Sequence, residues 1–355
     1  MVKILTFAGT RPEIIKLSQL MPLLDNLGEN KFVFTGQHYA KNMVDIFLDE
    51  MGVRKPDALL ESKSSEYSHL LPPAKKLVEK ERPDIVIVYG DTNSTLAAAM
   101  AAKQNKVGRV VHIEAGLRSF DKRMAEETVR ILVDHISDVF FPPTELASGF
   151  LEKEGITENK FVVGNTVVDA CLFYSKMAEK SDILNRLGLE DGRFITSTIH
   201  RAENVDHPKK LARLLQAFDQ LQYPVVLPVH HRTKAKLAEF GYKIPSNVKA
   251  IDPVGYFDIL KLMKNSAFII TDSGGIQVEA VTLKIPCITT RETTERWETI
   301  EAGANFLVGT DPELIKYKAK MVVETGMKKK ISNIKNPYGE RDSSKKIASE
   351  LKRLV

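Results

Sequence analysis

One stretch in the first half of the chain is Asp84-Ile85-Val86-Ile87-Val88-Tyr89-Gly90-Asp91-Thr92-Asn93-Ser94. In it a mainly aliphatic run is followed directly by glycine, an acid and small polar residues. Short apolar runs of this kind recur between longer amphipathic stretches, which is typical of a parallel sheet with crossover helices. In the first half they predict strands at 3–7, 32–34, 84–89, 109–113, 139–141 and 160–163. In the second half they predict strands at 194–199, 225–229, 248–251, 268–271, 285–289 and 305–308. The pattern therefore predicts an α/β protein with two parallel sheets.

The length of the chain predicts two domains. It has 355 residues, whereas a single hydrophobic core usually stops growing at about 250 to 300 residues. The stretch 167–187 predicts a helix between the two sets of strands, which places the boundary near Asn165 to Asp169. We expect a Rossmann-like domain over 1–167, a second one over 168–339, and a ligand cleft where they meet.

The composition limits the class of protein and the kind of partner. Hydrophobic residues make up 43% and charged residues 27% of the chain, which is typical of a folded globular protein. The net charge of +5 is too small to indicate nucleic-acid binding but suits an anionic small molecule. Cys171 and Cys287 lie far apart in apolar surroundings, so we expect buried free thiols and a reducing compartment. No stretch resembles a signal peptide or a membrane span, so we expect a cytoplasmic protein without a membrane partner.

Several predicted strands end in charged or small polar residues. In open parallel sheets ligands bind beyond the carboxyl ends of the strands, so these ends predict the binding site. They are Gly9-Thr10-Arg11-Pro12-Glu13, Gly90-Asp91-Thr92-Asn93-Ser94, His112-Ile113-Glu114-Ala115-Gly116, His200-Arg201-Ala202-Glu203-Asn204 and Asp272-Ser273-Gly274-Gly275. We therefore expect functional groups in both halves of the chain.

Two of these ends are typical of anion sites. Glycines in Ser273-Gly274-Gly275, at a predicted helix start, let a phosphate approach backbone N–H groups, although the same pattern also fits a plain tight turn. Arg11 and Lys16 could reach an anion at the start of another helix, although a lone arginine is commonly solvated. The first strand is followed by neither Gly-x-Gly-x-x-Gly nor a Walker lysine, which argues against a nicotinamide cofactor and against ATP hydrolysis.

Four carboxylates suit proton transfer. Asp91 and Glu114 end predicted strands, and Glu126 and Glu127 open a predicted helix. Carboxylates gathered without metal-ligand spacing fit general acid and base catalysis, because a shared site separates their pKa values. The alternative for Glu126 and Glu127 is helix-start charge that complements the dipole, and for Asp91 it is capping of the next helix.

Histidines and arginines complete the candidates. His200 and the pair His230-His231 lie at strand ends, but their spacing does not match a zinc site, and a buried hydrogen-bonding role is the alternative for His200. The loop Arg291-Glu292-Thr293-Thr294-Glu295-Arg296 offers guanidinium groups that fit phosphate, although such loops also form surface ion pairs.

Seven motifs, taken in their order along the chain, resemble those of the non-hydrolysing UDP-N-acetylglucosamine 2-epimerases. The resemblance covers essentially the whole chain. The motifs are Gly9-Thr10-Arg11-Pro12-Glu13, Thr35-Gly36-Gln37-His38, Gly90-Asp91-Thr92, His112-Ile113-Glu114-Ala115-Gly116-Leu117-Arg118-Ser119, His200-Arg201-x-Glu203-Asn204, Asp272-Ser273-Gly274-Gly275-Ile276-Gln277-x-Glu279-Ala280 and Arg291-Glu292-Thr293-Thr294-Glu295-Arg296. Each motif alone is weak, but seven in sequence are specific.

The resemblance implies a fold like that of GT-B glycosyltransferases, with a C-terminal helix within 340–355 that returns to the first domain. It implies a homodimer that needs no metal and no nicotinamide and that interconverts UDP-N-acetylglucosamine and UDP-N-acetylmannosamine. By the same resemblance the catalytic residues are Lys16, Asp91, Glu114, Glu126 and His200. The residues that bind the UDP-sugar are then Arg11, Ser273, Gly274, Gly275, Glu279 and Arg296.

Some positions depart from the family pattern. Val129 stands where the family commonly has Asn, and Trp297 where it often has Pro. Ala202 replaces an arginine, and 62–71 contains none, so the activation by a second substrate molecule known in many members is not expected here.

Alternatives to this function remain open. An epimerase of the same fold that acts on UDP-2,3-diacetamido-2,3-dideoxy-glucuronate is favoured by 251–256 and 303–309. A hydrolysing epimerase, a non-catalytic nucleotide-sugar sensor and a GT-B glycosyltransferase are further hypotheses.

Overall fold

A computed structural model describes residues 1–36, 48–60, 62 and 64–354. Gln37 and His38 of one sequence motif lie outside the described residues. The chain divides into two compact units, Met1–Ala170 with Tyr338–Val355, and Cys171–Pro337.

The first unit contains a parallel sheet of six strands. The strand bounds are β1 Lys3–Ala8, β2 Glu29–Phe34, β3 Ala58–Leu59, β4 Ile85–Tyr89, β5 Arg109–Ile113 and β6 Val139–Phe141. The order across the sheet is β3-β2-β1-β4-β5-β6. This is the doubly wound order, in which the direction of winding reverses between β1 and β4.

Seven described helices start in the first unit and one more ends the chain. Their bounds are α1 Arg11–Leu17, α2 Met21–Leu27, α3 Tyr67–Glu81, α4 Asn93–Asn105, α5 Ala125–Ile136, α6 Glu145–Lys153 and α7 Thr166–Ala178, with α17 Ser343–Leu354 at the end. The amides of Ser343 and Ser344, at the start of α17, donate to the carboxylate of Asp169, and α17 packs against α2. The predicted return of a C-terminal helix to the first domain is therefore confirmed.

The second unit repeats the same arrangement. Its strands are β7 Ile195–Thr198, β8 Val225–Pro228, β9 Val248–Ile251, β10 Phe268–Thr271, β11 Cys287–Thr289 and β12 Asn305–Leu307, in the order β12-β11-β10-β7-β8-β9. Its helices are α8 Ile183–Leu187, α9 Ala202–Val205, α10 Pro208–Asp219, α11 His231–Glu239, α12 Tyr256–Asn265, α13 Gly274–Thr282, α14 Trp297–Glu301, α15 Pro312–Glu324 and α16 Met327–Ile331. The predicted α/β class with two Rossmann-like sheets is confirmed.

Aliphatic residues of the strands form the core of each unit. Val86 and Val88 of β4 pack with Ala98 and Ala102 of α4 in the first unit. In the second unit Ile270 of β10 belongs to a similar buried cluster. Both cysteines are buried free thiols, as predicted. None of the helices in the described part of the chain combines the length and apolar character needed to cross a bilayer.

Two secondary-structure predictions were wrong. The predicted strand at 160–163 forms only an isolated bridge from Lys160 to Phe140, because the backbone turns at Asn159 and Gly164, which have φ of 53° and 87°. The predicted helix over 167–187 is interrupted between α7 and α8, where the Ser181 hydroxyl accepts from the amide of Ile183 at 3.2 Å.

Candidate functional site

Several candidate residues directly follow the strands between which strand order reverses. In the first unit β1 leads into Arg11 and β4 leads into Asp91. In the second unit β7 leads into His200 and β10 leads into Ser273. A reversal of strand order opens a crevice at the carboxyl ends of the strands, which is where ligands bind in open α/β sheets.

The start of α1 is capped by its own side chains. The Thr10 hydroxyl accepts from the amide of Glu13, and the Glu13 carboxylate accepts from the amides of Gly9 and Thr10. Burial is the main cause that raises the pKa of Glu13 to about 7, and the N–H of Gly9 opposes it. The Glu13 carboxylate already binds the amides of Gly9 and Thr10, so these N–H groups are not available to an anion. Arg11, at the start of the same helix, still offers a positive charge to an anion.

Lys16 and Glu114 form a pair in the first unit. The Nζ of Lys16 lies 2.8 Å from Oε2 of Glu114, and Asn165 donates to Oε1 at 2.8 Å. The ammonium also lies 4.8 Å from the centre of the Tyr89 ring. Glu114 has a φ of 67°, so the backbone turns sharply directly after β5. This turn and the two partners fix a buried carboxylate beside a cation.

Asp91 is held by an arginine. Arg130 of α5 donates to Oδ2 of Asp91 from Nε at 2.9 Å and from Nη2 at 2.5 Å. The N-cap of α4 is Thr92, so the capping alternative for Asp91 is wrong. The sequence did not assign Arg130 a role, because its partner is 39 positions away.

Glu127 and Glu126 have different roles. Glu127 is buried, accepts from the amides of Ser119 and Phe120, and pairs with Arg130 at 2.7 Å. It therefore fixes the turn after β5. Glu126 lies half-buried in the first turn of α5.

Asp272 holds His200 in the second unit. Its fully buried carboxylate accepts from the amides of His200 and Arg201 and from the side-chain amide of Asn204. The Nδ1 of His200 lies 3.2 Å from Oδ1 of Asp272. The His200 side chain is 40% exposed, so the buried alternative is wrong. A carboxylate at Nδ1 orients the imidazole and sets its tautomer.

Two more histidines adjoin His200. The ring centroids of His200 and His230 lie 5.8 Å apart, and those of His230 and His231 lie 4.0 Å apart. Burial, followed by the charges of His231 and His200, lowers the pKa of His230 to about 4. His230 is therefore neutral at pH 7.

Ser273, Gly274 and Gly275 form the start of α13. The Ser273 hydroxyl accepts from the amide of Ile276 as the N-cap. A Cβ on Gly274 would lie 2.0 Å from Oε1 of Glu295, so a side chain at this position would require Glu295 to move. A helix start of glycines presents N–H groups and the positive end of the dipole.

The loop after β11 is fixed against α13. The buried Arg291 pairs with Glu295 at 2.8 Å and with Glu203 at 3.2 Å. Arg296 is also buried, and its amide donates to the Thr294 hydroxyl, which donates to Gln277. Both arginines are buried, so the alternative prediction for this loop, that its arginines form surface ion pairs, is wrong.

Glu279 lies one turn into α13 and is nearly buried. The Tyr256 hydroxyl donates to Oε1 of Glu279 at 2.8 Å. Burial and then the Glu279 charge raise the pKa of Tyr256 well above its usual range. Tyr256 therefore stays protonated and orients the carboxylate.

A metal centre has no support in the described residues. Within 1–36, 48–60, 62 and 64–354, no group of three or more His, Cys, Asp or Glu side chains is arranged to hold a metal ion. The arrangement instead suits acid and base catalysis in the first unit and anion binding in the second.

Comparisons with known proteins agree with these features. Residues 25–352 match the family model for UDP-N-acetylglucosamine 2-epimerase. The UDP-N-acetylglucosamine 2-epimerase of Methanocaldococcus jannaschii is 44% identical over 365 residues, with 98% of each chain covered. A UDP-2,3-diacetamido-2,3-dideoxy-D-glucuronate 2-epimerase of Pseudomonas aeruginosa is 40% identical, with 99% of this chain and 100% of that one covered. A crystal structure of the Methanocaldococcus jannaschii enzyme in complex with UDP-GlcNAc and UDP is similar with a TM-score of 0.91 and 41% identity, covering 99% of this chain and 100% of that one.

Proposed function

Because the chain belongs to the UDP-N-acetylglucosamine 2-epimerase family, it is an isomerase, and we propose that it interconverts UDP-N-acetylglucosamine and UDP-N-acetylmannosamine. The observation that carries this proposal is the pairing of Glu114 with Lys16 and of Asp91 with Arg130. Asp91 follows β4, at the reversal of strand order, and Glu114 follows the neighbouring strand β5, so both carboxylates lie beside cations at one edge of the first sheet. A reaction that removes and returns a proton needs such groups.

In the proposed reaction a carboxylate takes the proton from sugar carbon 2. The bond from carbon 1 to the phosphate oxygen breaks, UDP leaves with the electron pair, and a 2-acetamidoglucal with a carbon 1–carbon 2 double bond forms. A second acid then protonates carbon 2 from the other face, and UDP adds back to carbon 1. We assign these proton transfers jointly to Asp91, Glu114 and Glu126, since opposite faces need more than one group.

We assign UDP to residues of both units. Arg11, Ser273, Gly274, Gly275 and Arg296 would hold the diphosphate during departure and return, because preorganised donors stabilise the leaving group. Glu279 would accept from the ribose hydroxyls. His200 would lie near the diphosphate, and Lys16 would keep Glu114 ionised. We propose that these residues belong to two domains, 1–167 with 340–355 and 168–339.

A second candidate substrate is UDP-2,3-diacetamido-2,3-dideoxy-glucuronate. The Pseudomonas aeruginosa relative is named for it and is nearly as similar as the Methanocaldococcus jannaschii one. The segments 251–256 and 303–309 also resemble that branch.

Solvent isotope exchange distinguishes these candidates. The protein is incubated with each sugar nucleotide in deuterated buffer, and the products are analysed by NMR. We expect deuterium at carbon 2 of UDP-N-acetylglucosamine and formation of the manno epimer. Exchange with the diacetamido uronate alone would replace the substrate assignment, and accumulation of UDP with free sugar would indicate a hydrolysing enzyme. Binding without exchange of either substrate would contradict catalysis.

Amide variants test the assigned acids. Asp91→Asn, Glu114→Gln and Glu126→Gln should each lose most turnover while still binding UDP. Arg11→Ala should weaken both UDP binding and turnover. Near-normal exchange in all three amide variants would remove the acids from the mechanism, and unchanged UDP affinity would remove Arg11 from the diphosphate site.

The assembly and location of the protein are also part of the proposal. We infer that the protein is a homodimer and that it acts in the cytoplasm. The buried free thiols support the second of these inferences, because free cysteines are typical of a reducing compartment. Light scattering of the purified protein measures the oligomeric state.

A further inference from the structure

His112 is a buried histidine whose two ring nitrogens both contact acceptors. Nδ1 lies 2.7 Å from Oδ1 of Asp134, and Nε2 lies 2.9 Å from the carbonyl oxygen of Gly90. A carbonyl oxygen can only accept, so Nε2 must carry a hydrogen. An ionised carboxylate can also only accept, so Nδ1 must carry one whenever Asp134 is charged.

The surroundings of Asp134 keep it charged. Its other oxygen accepts from the amide of Gly116 at 3.1 Å and lies 2.7 Å from Nη1 of Arg118. Burial acts to raise its pKa, but His112 and Arg118 together outweigh burial, and the net pKa is lowered. Arg118 also binds Glu154 at 2.6 Å, so its guanidinium group joins the two carboxylates.

The group joins the two loops that carry Asp91 and Glu114. The carbonyl that accepts from His112 belongs to Gly90, the residue before Asp91. The amide that donates to Asp134 belongs to Gly116, two residues after Glu114. The amide of Gly90 also donates to the Ile113 carbonyl at 3.0 Å. A Cβ built on Gly90 would lie 3.7 Å from Oε2 of Glu114, so the loops are adjacent.

One helix supplies the other contacts of these acids. Glu126, Arg130 and Asp134 are four residues apart on α5, and such spacing puts side chains on one face of a helix. Arg130 binds Asp91, and Asp134 binds His112. The position of α5 is thereby linked to the positions of all three proposed acids.

We propose that His112, protonated on both ring nitrogens, is a positioning residue that fixes the loops of Asp91 and Glu114 relative to each other. This inference rests on the proposed epimerase function, because it assigns His112 to the geometry of that reaction. His112 itself has no contact with the substrate in the proposal. Its charge and its two donors hold the carboxylates in place before the substrate binds.

Nitrogen NMR tests the protonation of His112 independently of activity. In protein labelled on histidine nitrogens, both ring nitrogens of His112 should show shifts of protonated nitrogen under the conditions of the kinetic assay. The signal is assigned by its loss in His112→Gln. A neutral ring with one unprotonated nitrogen under these conditions would overturn the proposal.

Kinetics of His112→Gln and His112→Asn test the positioning. Each amide can satisfy one acceptor but carries no charge, so kcat should fall by about 10- to 100-fold, since misplacement of about 1 Å can cost that much. The affinity for UDP and the melting temperature of the UDP-bound protein should change far less than kcat does. The control is His69→Gln, which alters an exposed histidine of the same unit and should leave kcat unchanged.

The double variant separates positioning from general damage. If His112 acts through Asp134, His112→Gln combined with Asp134→Asn should lose much less kcat than the sum of the single losses predicts. A wild-type kcat in His112→Gln, or strict additivity, would overturn the proposal. Absence of isotope exchange in the wild-type protein would instead contradict the proposed function, and the NMR result would still stand by itself.

Discussion

The Nζ of Lys16 lies 2.8 Å from Oε2 of Glu114 and joins the first helix of the chain to the end of β5. The two side chains are 14% and 3% exposed, so the pair is largely removed from water. Asn165 donates to the second oxygen of Glu114. Both oxygens of a buried carboxylate are thus bound, and the adjacent ammonium group stabilises its charged form.

Lys16→Met should inactivate the enzyme by protonating Glu114. Without the ammonium, the buried Glu114 loses a charge that stabilises its ionised form, so its capacity to accept a proton should fall. We expect turnover to fall at least about 100-fold, the contribution typical of a general base. The free energy of unfolding should fall by about 3 kcal/mol, as for other buried pairs that lose one partner. Isotope exchange and urea denaturation measure the two effects.

Lys103→Met is the matched control for Lys16→Met. Lys103 pairs with Asp138 in the same unit, but both side chains are 36% exposed. Exposed pairs contribute about 0 to 1 kcal/mol, so stability should change little and turnover should stay normal. Equal losses in the two variants would show that burial of the Lys16 pair has no special role.

Glu13→Gln should remove a pH dependence of stability. Burial raises the folded-state pKa of Glu13 from 4.5 to about 7. As the pH rises from 4.5 to 7, the unfolded chain releases this proton while the folded protein retains it. The wild-type protein should therefore lose about 3 kcal/mol of unfolding free energy over that window relative to Glu13→Gln. Urea denaturation of both proteins at pH 4.5 and pH 7.5 measures the difference, and parallel pH profiles would contradict it.

The fold was predictable because its signal is local. Runs such as 85–89 are continuously apolar since their sheets are covered on both faces, and each run ends where a crevice can form. The short edge strand β3 was missed because Ala58–Leu59 has no periodicity and Leu59 is 49% exposed.

The candidate site was predictable only in part, because its contacts join distant residues. Asp91 and Glu114 stood out as polar residues after aliphatic strands. The arginine and the lysine that bind them lie 39 and 98 positions away, and no spacing rule connects them. From the sequence, Glu127 was as good a candidate for a catalytic acid as Glu126. In the structure its carboxylate binds the amides of Ser119 and Phe120, which indicates a structural role.

Tyr256→Phe should weaken UDP binding through Glu279. The hydroxyl of Tyr256 is buried and donates to Glu279 at 2.8 Å, so its removal leaves a nearly buried carboxylate short of one donor. Such a loss costs about 1 to 3 kcal/mol, which corresponds to at least about fivefold weaker binding if Glu279 holds the ribose. Calorimetric titration with UDP measures it.

Tyr242→Phe serves as the control for Tyr256→Phe. Its hydroxyl donates to the Pro208 carbonyl on the surface of the same unit, so UDP affinity should stay unchanged. If Tyr256→Phe binds UDP as tightly as this control, Glu279 does not contact the ribose.

Gly274→Ala should block the proposed phosphate site without unfolding the second unit. The new Cβ would lie 2.0 Å from Oε1 of Glu295, so Glu295 must move and disturb its pair with Arg291. The methyl group would also stand at the helix start that is proposed to receive the diphosphate. We expect UDP affinity to fall at least about tenfold, equivalent to 1.4 kcal/mol. Gly149→Ala is the control, because its Cβ meets nothing within 4 Å in α6, where alanine favours the helix. Wild-type UDP affinity in Gly274→Ala, with Glu295 displaced in a crystal structure, would place the diphosphate away from α13.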